Sequence, residues 1–316
     1  MQKSALDKID LRIIYILSKD CRMSYRYIGS VVGLTTKSAK ARIDKMISNG
    51  VIEKFLVMVN PACFGYRTVC SLVIRNHKAN KDMLNHLNCY DLIYNAQHLG
   101  GISVFGVAIK ETSDEKINSF VDSFRPALVR FTLAKPFCTH GDLSNTDMRI
   151  IRCLLLNPRM QISEIVNELG FSAKTITRRL NIMKQNNALK FSVLCNPDST
   201  LGYIQFVIVI HVKKSFYHKV QQQIYNEFQE NIRFQPPIVN PDHVIAFVLF
   251  GQDIFTVDSI LNKIQSLEGV EDSELSILTK ITYHKEWAIK EINQRLLSSL
   301  PSSKRLTLNE ISSIPT

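Results

Sequence analysis

The sequence predicts an α+β protein made by tandem duplication, and three observations carry that prediction. An ungapped shift of 137 residues lays positions 6–50 over 143–187 with 14 identities in 45, from Leu6/Leu143 to Asn49/Asn186. Each copy opens with apolar residues at helical spacing, then turns to short β-branched runs separated by amphipathic stretches. The excess positive charge sits almost wholly in the two matched segments. Repeats come first in such a reading, because a missed one mis-assigns the whole fold.

In the first copy, Ile9, Ile13, Ile16 and Leu17 form the one-sided stripe of a helix ending near Lys19. Asp7 suits the N-cap, Asp10 the third helical position, and Leu6 and Leu11 a hydrophobic staple. Leu143, Ser144, Asp147 and Met148 repeat the arrangement. A short second helix opens at Ser24 and stops at Gly33, where a residue without Cβ turns most easily. Its counterpart keeps Gly170 but has Gln161 in place of the serine. A third helix, 35–48, starts at Thr35 and buries Ala39, Ile43 and Met46. Its outward side carries Thr36, Lys37, Lys40, Ala41, Asp44 and Lys45; the second copy, opened by Ser172, presents Ala173, Lys174, Thr177, Arg178 and Lys184. Two short helices joined by a glycine turn, the second one basic, describe a helix-turn-helix whose second helix enters a major groove. VIEKFLVMV (51–59) alternates and is expected to form a wing hairpin ending at Asn60-Pro61; ALKFSVLC ends at Asn196-Pro197, one residue out of phase.

Between and after these segments, 68–74, 91–99, 102–109 and 128–137 read as strands, with helices over 81–87 and 113–124. The second set has strands at 204–212, 232–239, 243–250 and 273–283, with helices over 216–228 and 254–267, in the same order. HKEWAIKEINQRLLSSL then predicts a helix with Trp287, Ile292 and Leu296 on one side, followed by a Ser- and Pro-rich tail.

Composition narrows the function. The net charge of +11 divides into +6 for residues 1–60, +2 for 61–142, +4 for 143–202 and −1 for 203–316. Charge confined to two matched modules points to a polyanionic partner. No apolar run approaches the roughly 20 residues of a membrane span, and MQKSALDKID has no signal-peptide core, so a soluble cytoplasmic protein is expected. The seven cysteines form no CxxC pair and are expected as buried free thiols; the eight histidines are scattered, so no metal site is expected. No Gly-rich nucleotide loop, nucleophile elbow or paired acid motif marks a catalytic residue or a cofactor.

The first copy resembles the DNA-binding domain of the Lrp/AsnC family of prokaryotic transcription regulators. The residues that carry the resemblance are Leu6-Asp7 with Asp10, Arg22 with Ser24, Gly33-Leu34-Thr35, Arg42, and Gly50-Val51-Ile52. The second copy departs from the pattern at Gln161 and at Asn187-Ala188-Leu189. The resemblance implies two winged helix-turn-helix domains, each followed by a ferredoxin-like βαββαβ domain for sensing and dimerisation. Boundaries follow at 1–61, 62–139, 140–200 and 201–285, with a C-terminal helix and tail over 286–316.

Double-stranded DNA is therefore the expected partner. Its contacts would come from Thr35, Thr36, Lys37, Lys40, Arg42 and Lys45, and from Ser172, Lys174, Thr177, Arg178, Arg179 and Lys184. Arg42 and Arg179 would act as phosphate clamps or packing groups. In the family, effector amino acids bind near a G-x-x-D loop, which here falls on Gly100, Gly101 and Ser103, and on Asn240, Asp242 and His243. Ser103 and His243 stand at the acidic position, so the carboxylate that would pair an amino group is missing, although Asp242 is adjacent. The two sheets of the chain are expected to pair as an intramolecular pseudo-dimer, with a homo-oligomer through the sheets possible. An alternative resemblance is to siroheme decarboxylases, some of which are tandem chains of this type; His98, His211, His243 and His284 would be their candidate groups, but no clustered His-Cys-Tyr-Arg strand motif is present.

Overall fold

A computed structural model describes residues 5–75, 91–110, 113–125, 127–136, 143–229, 231–234 and 243–299. The first unit comprises α1 (Lys8–Lys19), α2 (Tyr25–Val32), α3 (Thr36–Ser48), β1 (Ile52–Val59), β2 (Thr68–Arg75), β3 (Asp91–His98), β4 (Ile102–Ile109), α4 (Asp114–Asp122) and β5 (Leu128–Ala134). The second comprises α5 (Asn145–Leu156), α6 (Ile162–Leu169), α7 (Ala173–Gln185), β6 (Leu189–Cys195), β7 (Ile204–Val212), α8 (Tyr217–Phe228), β8 (Ile232–Phe234), β9 (Val244–Gly251), α9 (Ile254–Gln265) and β10 (Val270–Tyr283). Helix α10 (Glu286–Ser298) follows. The expected helix over 81–87, the tail after Ser299, Cys89 and Cys138 lie outside the described residues. Among those described, Cys21, Cys63, Cys70, Cys153 and Cys195 are buried and in no disulfide. Among the described residues, no helix is long and apolar enough to cross a membrane.

The start and stop signals work as local chemistry dictates. Asp7 and Ser144 each close a capping box with the aspartate three residues on, Asp10 and Asp147. Gly33 and Gly170 end α2 and α6 in the left-handed region, at φ +74° and +71°.

The wing differs from expectation. Neither copy makes a hairpin of its own; β1 pairs antiparallel with β6, from Ile52 opposite Cys195 to Val59 opposite Leu189. Residues 51–59 contain no two-residue turn signal, so the strand must find its hydrogen-bond partner elsewhere. Counting from Asn60-Pro61 and Asn196-Pro197, Leu56 and Ser192 are equivalent positions, and they face each other in the ladder. A pseudo-twofold axis therefore passes between them. The Asn60 N–H donates to the Ala188 carbonyl at 2.9 Å, and the Asn196 N–H to that of Val51 at 3.0 Å, the same bond made from both sides.

Packing is crosswise too. The core of the first helix-turn-helix, around Ile13, Leu17, Ile28 and Ile43, takes in Val193, Cys195 and Phe250 of the second unit. That of the second, around Ile151, Leu154, Ile165 and Ile176, takes in Val59, Phe64, Tyr66 and Trp287.

The remaining strands form one eight-stranded sheet in the order β5-β2-β4-β3-β10-β7-β9-β8, joined where β3 pairs antiparallel with β10. This sheet is not flat. Arg130 on β5 forms an ion pair with Glu274 on β10, four strands away in the ladder. At about 4.8 Å per strand that separation would be roughly 19 Å in a flat sheet, so the two halves turn to face each other. Side-chain size follows the alternation. Leu72, Ile74 and Phe105 lie outward under α4, and Phe206, Ile208 and Phe247 under α8 and α9. Inward point smaller residues such as Val69, Ser71, Val104, Val207, Val209 and Ala246. Gly106 is inward as well, and a Cβ there would stand 2.1 Å from the Tyr94 ring lying across it.

Small residues on both facing surfaces leave a cavity of about 550 Å³ that reaches from the sheets to β1 and the end of α5.

Candidate nucleic-acid interface

Each third helix is held from behind and left bare in front. Thr35 Oγ1 accepts from the Ser38 N–H at 3.1 Å, and Ser172 Oγ from the Thr175 N–H at 3.1 Å, so these two hydroxyls set where α3 and α7 begin. Ala39, Ile43 and Met46 anchor α3, as Ile176, Leu180 and Met183 anchor α7. Thr36, Lys37, Lys40 and Lys45 stand exposed on one, with Lys174, Thr177 and Arg178 on the other. Lys40 is tied to Asp44 one turn on, at 2.6 Å. The exposed side of α7 has no acid, since Asn181 replaces that aspartate.

Three residues expected at this surface are engaged elsewhere. Arg42 Nη1 reaches Asp7 Oδ2 at 2.7 Å and Asp10 Oδ1 at 2.9 Å, tying α3 to the start of α1. Arg179 does the same for α7, gripping the buried carboxylate of Asp147. Burial pushes the Asp147 carboxyl upward, but hydrogen bonds from Arg179 and Ser144 outweigh it and hold the group below the ordinary value. Lys184 is paired with Asp20 of the other copy. Arg42 and Arg179 are thus internal clamps, and Lys184 joins the two heads. On the exposed faces a helical spacing alone cannot distinguish a cation aimed at solvent from one aimed back at its own domain.

The heads are bracketed by a second pair that the sequence showed only as identities. Arg22 Nη1 donates to the Pro158 carbonyl at 2.8 Å, and its equivalent Arg159 donates from Nη2 to the Met23 carbonyl at 3.4 Å. The Arg159 guanidinium also lies 4.6 Å from the Tyr25 ring centre. Arg26 on α2 is exposed near this bracket, and Ser163 stands at its place in the second copy, so the repeat gives no signal for it.

The expected effector loop is not assembled into a site by the described residues. Gly100 and Gly101 form the β3–β4 turn at φ +81° and +78°. Ser103 is buried in β4 and His243 is exposed before β9, while Asn240 and Asp242 lie outside the described residues. Of the four candidate histidines, His98 and His284 line the inter-sheet cavity; His211 stands opposite Asp272 at the end of β7. Burial pushes the His98 imidazole down to about 4, so its ring is neutral, and Nδ1 is buried without a partner.

Comparison with known proteins agrees with this architecture. Residues 6–47 match the AsnC-type helix-turn-helix domain, and residues 143–190 the winged helix-turn-helix DNA-binding model. The HTH-type transcriptional regulator FL11 of Pyrococcus abyssi is 36% identical over 120 residues, covering 37% of this chain and 79% of the relative. The regulator LrpB of Bacillus subtilis is 25% identical over 118 residues, again 37% of this chain and 79% of the relative. Among solved structures, the siroheme decarboxylase NirDL aligns over 92% of this chain and 100% of its own at 14% identity and TM-score 0.48. The chain belongs to the Lrp/AsnC family of helix-turn-helix transcriptional regulators, with two helix-turn-helix domains in one polypeptide.

Proposed function

We propose that the protein is a sequence-specific, DNA-binding transcriptional regulator whose two heads work as an intramolecular pseudo-dimer, α3 and α7 each entering a major groove. The observation that carries this reading is the pairing of bare faces: Thr36, Lys37 and Lys45 on α3, Lys174, Thr177 and Arg178 on α7, each helix clamped from behind. Cations at a groove neutralise phosphates and release counterions, while threonine reaches base edges. Because the two faces differ, the preferred site is asymmetric rather than palindromic. Retention on random duplex DNA as a function of salt tests the first part: a salt-independent affinity overturns it. Selection from random DNA tests the second, and a perfect palindrome counts against it. The domain boundaries expected from sequence are part of this proposal.

A second reading, an enzyme acting on tetrapyrrole carboxylates, draws on His98 and His284 in the cavity wall. The charges lining that cavity argue for the regulator: Lys54, Arg130 and Lys285 stand against Glu274 and Glu286, and Arg130 is already paired. A polycarboxylate would meet few free cations there. Absorbance titration with an iron uroporphyrin separates the readings, a stoichiometric spectral change favouring the enzyme.

A further inference from the structure

We propose that the cavity between the facing sheets is a ligand site for an amphiphilic acid, an apolar body carrying one anionic head, and that its occupant adjusts the two heads. The regulatory half of this proposal rests on the DNA-binding reading; the site itself does not. Four observations carry it. The volume, about 550 Å³, lies within the range of small-molecule pockets. Its walls are small apolar side chains, Val69, Val104, Val207, Val209 and Ala246 among them, which do not close on each other. Among the charged groups of the lining, Lys54 on β1, His284 and Lys285 stand together, with Glu286 3.9 Å from His284 and Lys285 donating to the Leu155 carbonyl at 3.1 Å, while Arg130 and Glu274 pair with each other. His98 adds a buried ring with an unpartnered nitrogen. An apolar body fills the first region and an anionic head meets the second.

The connection to the heads is physical contact. The same cavity is lined by Phe55 to Val59 of β1, the strand that joins the heads, and by Pro158, whose carbonyl receives Arg22 of the opposite head. A ligand against Pro158 and β1 therefore presses on the bracket that joins the two helix-turn-helix domains. The pseudo-twofold axis makes one ligand per chain the expected stoichiometry.

The full chain is titrated with 8-anilinonaphthalene-1-sulfonate, an apolar body with one sulfonate, and then with dodecanoate and dodecanol as competitors. Saturable one-to-one dye binding is expected, displaced by dodecanoate at least about fivefold better than by dodecanol. Ala246→Phe, which fills the cavity, should weaken the dye by about tenfold or more, and Lys54→Ala should remove the preference for the acid. Circular dichroism establishes that Ala246→Phe is folded; if it is not, Lys54→Ala on its partly exposed strand decides. Absence of saturable binding, dye affinity unchanged in folded Ala246→Phe, or equal competition by dodecanol overturns the proposal. Dodecanoate should also shift DNA affinity in the wild type and leave folded Ala246→Phe unaffected; no shift overturns the regulatory half. The dye titration uses no DNA, so a chain that binds dye in the cavity but not DNA loses the regulator reading and keeps the site.

Discussion

The two heads use one design at two depths. In the first, Arg42 is held by Asp7, whose side chain is 51% exposed, and by Asp10 at 15%. In the second, Arg179 grips Asp147, which is 2% exposed. The same arginine, 137 residues apart, is thus a surface tie in one copy and a buried ion pair in the other. Ion pairs near water are worth little because solvent screens them, whereas stripping one partner from a buried pair leaves an uncompensated charge. The second copy, which departs from the family's pattern, thus carries the more deeply buried clamp. What it lost in motif it holds in burial, with α10 and Trp287 packed against its core.

The largest test of that difference is to cut both clamps. Arg179→Ala should cost about 3 kcal/mol of stability and Arg42→Ala about 1 kcal/mol, measured by chemical denaturation; equal losses would break the comparison. The pH dependence has a definite sign. Because the folded Asp147 carboxyl is held below its ordinary value, its contribution is present above the unfolded value, near 3.9, and disappears as pH falls through the folded one. Asp147→Asn lacks this contribution, so wild type should be the more stable of the two near pH 7, and its stability should fall toward that of the variant below about pH 4.

The sheets supply a second contrast. Tyr94 lies over Gly106, whereas the equivalent inward position in the other half holds Val248. Gly106→Ala should destabilise by about 2 kcal/mol, since a Cβ cannot share that space with the ring, while Val248→Ala should enlarge the cavity and cost less than about 1.5 kcal/mol. Calorimetry of the two variants ranks them. Next in size are the reading helices. Lys37→Ala and Lys174→Ala should each weaken DNA binding by about 1 kcal/mol and lower the salt slope by about 1. A change with only one of them would assign DNA to a single head.

The smallest effect sits on the axis. Arg130, opposite Val73 on β2, and Glu274, opposite Val209 on β7, occupy equivalent places and pair with each other. In a dimer of identical chains that residue would meet its own copy and its own charge. Duplication allows an arginine to meet a glutamate, which favours unlike halves over like ones. Glu274→Arg should cost about 1 kcal/mol or less, because both side chains remain near solvent, and Arg130→Glu added to it should restore the loss. Sedimentation would show whether the single variant begins to associate between chains.

Most of the local structure was legible. Capping residues, glycine stops and the alternation of β-branched runs depend on neighbours within a few positions, so Asp7, Ser144, Gly33 and Gly170 could be placed from the sequence. The exposed residues of α3 and α7 followed from the same periodicity. Lys184 and the two clamping arginines did not, because a cation's partner can lie 32 or 164 positions away. The wing failed as a hairpin for a related reason: alternation marks a strand and says nothing of which strand completes it. A signal for the cavity was present in the size of alternate residues, Val69, Ser71 and Val73 against Cys70, Leu72 and Ile74, but only a second facing sheet gives it meaning.

By itself, then, the sequence determined that this chain is a duplication, where each helix starts and stops, and which sides of α3 and α7 face water, since these rest on short-range backbone and burial rules. Tertiary structure alone decided that the copies exchange wing strands, cross their cores, turn one sheet into two facing walls and set Arg130 against Glu274. Those outcomes depend on contacts between positions far apart in the chain, where no local rule reaches.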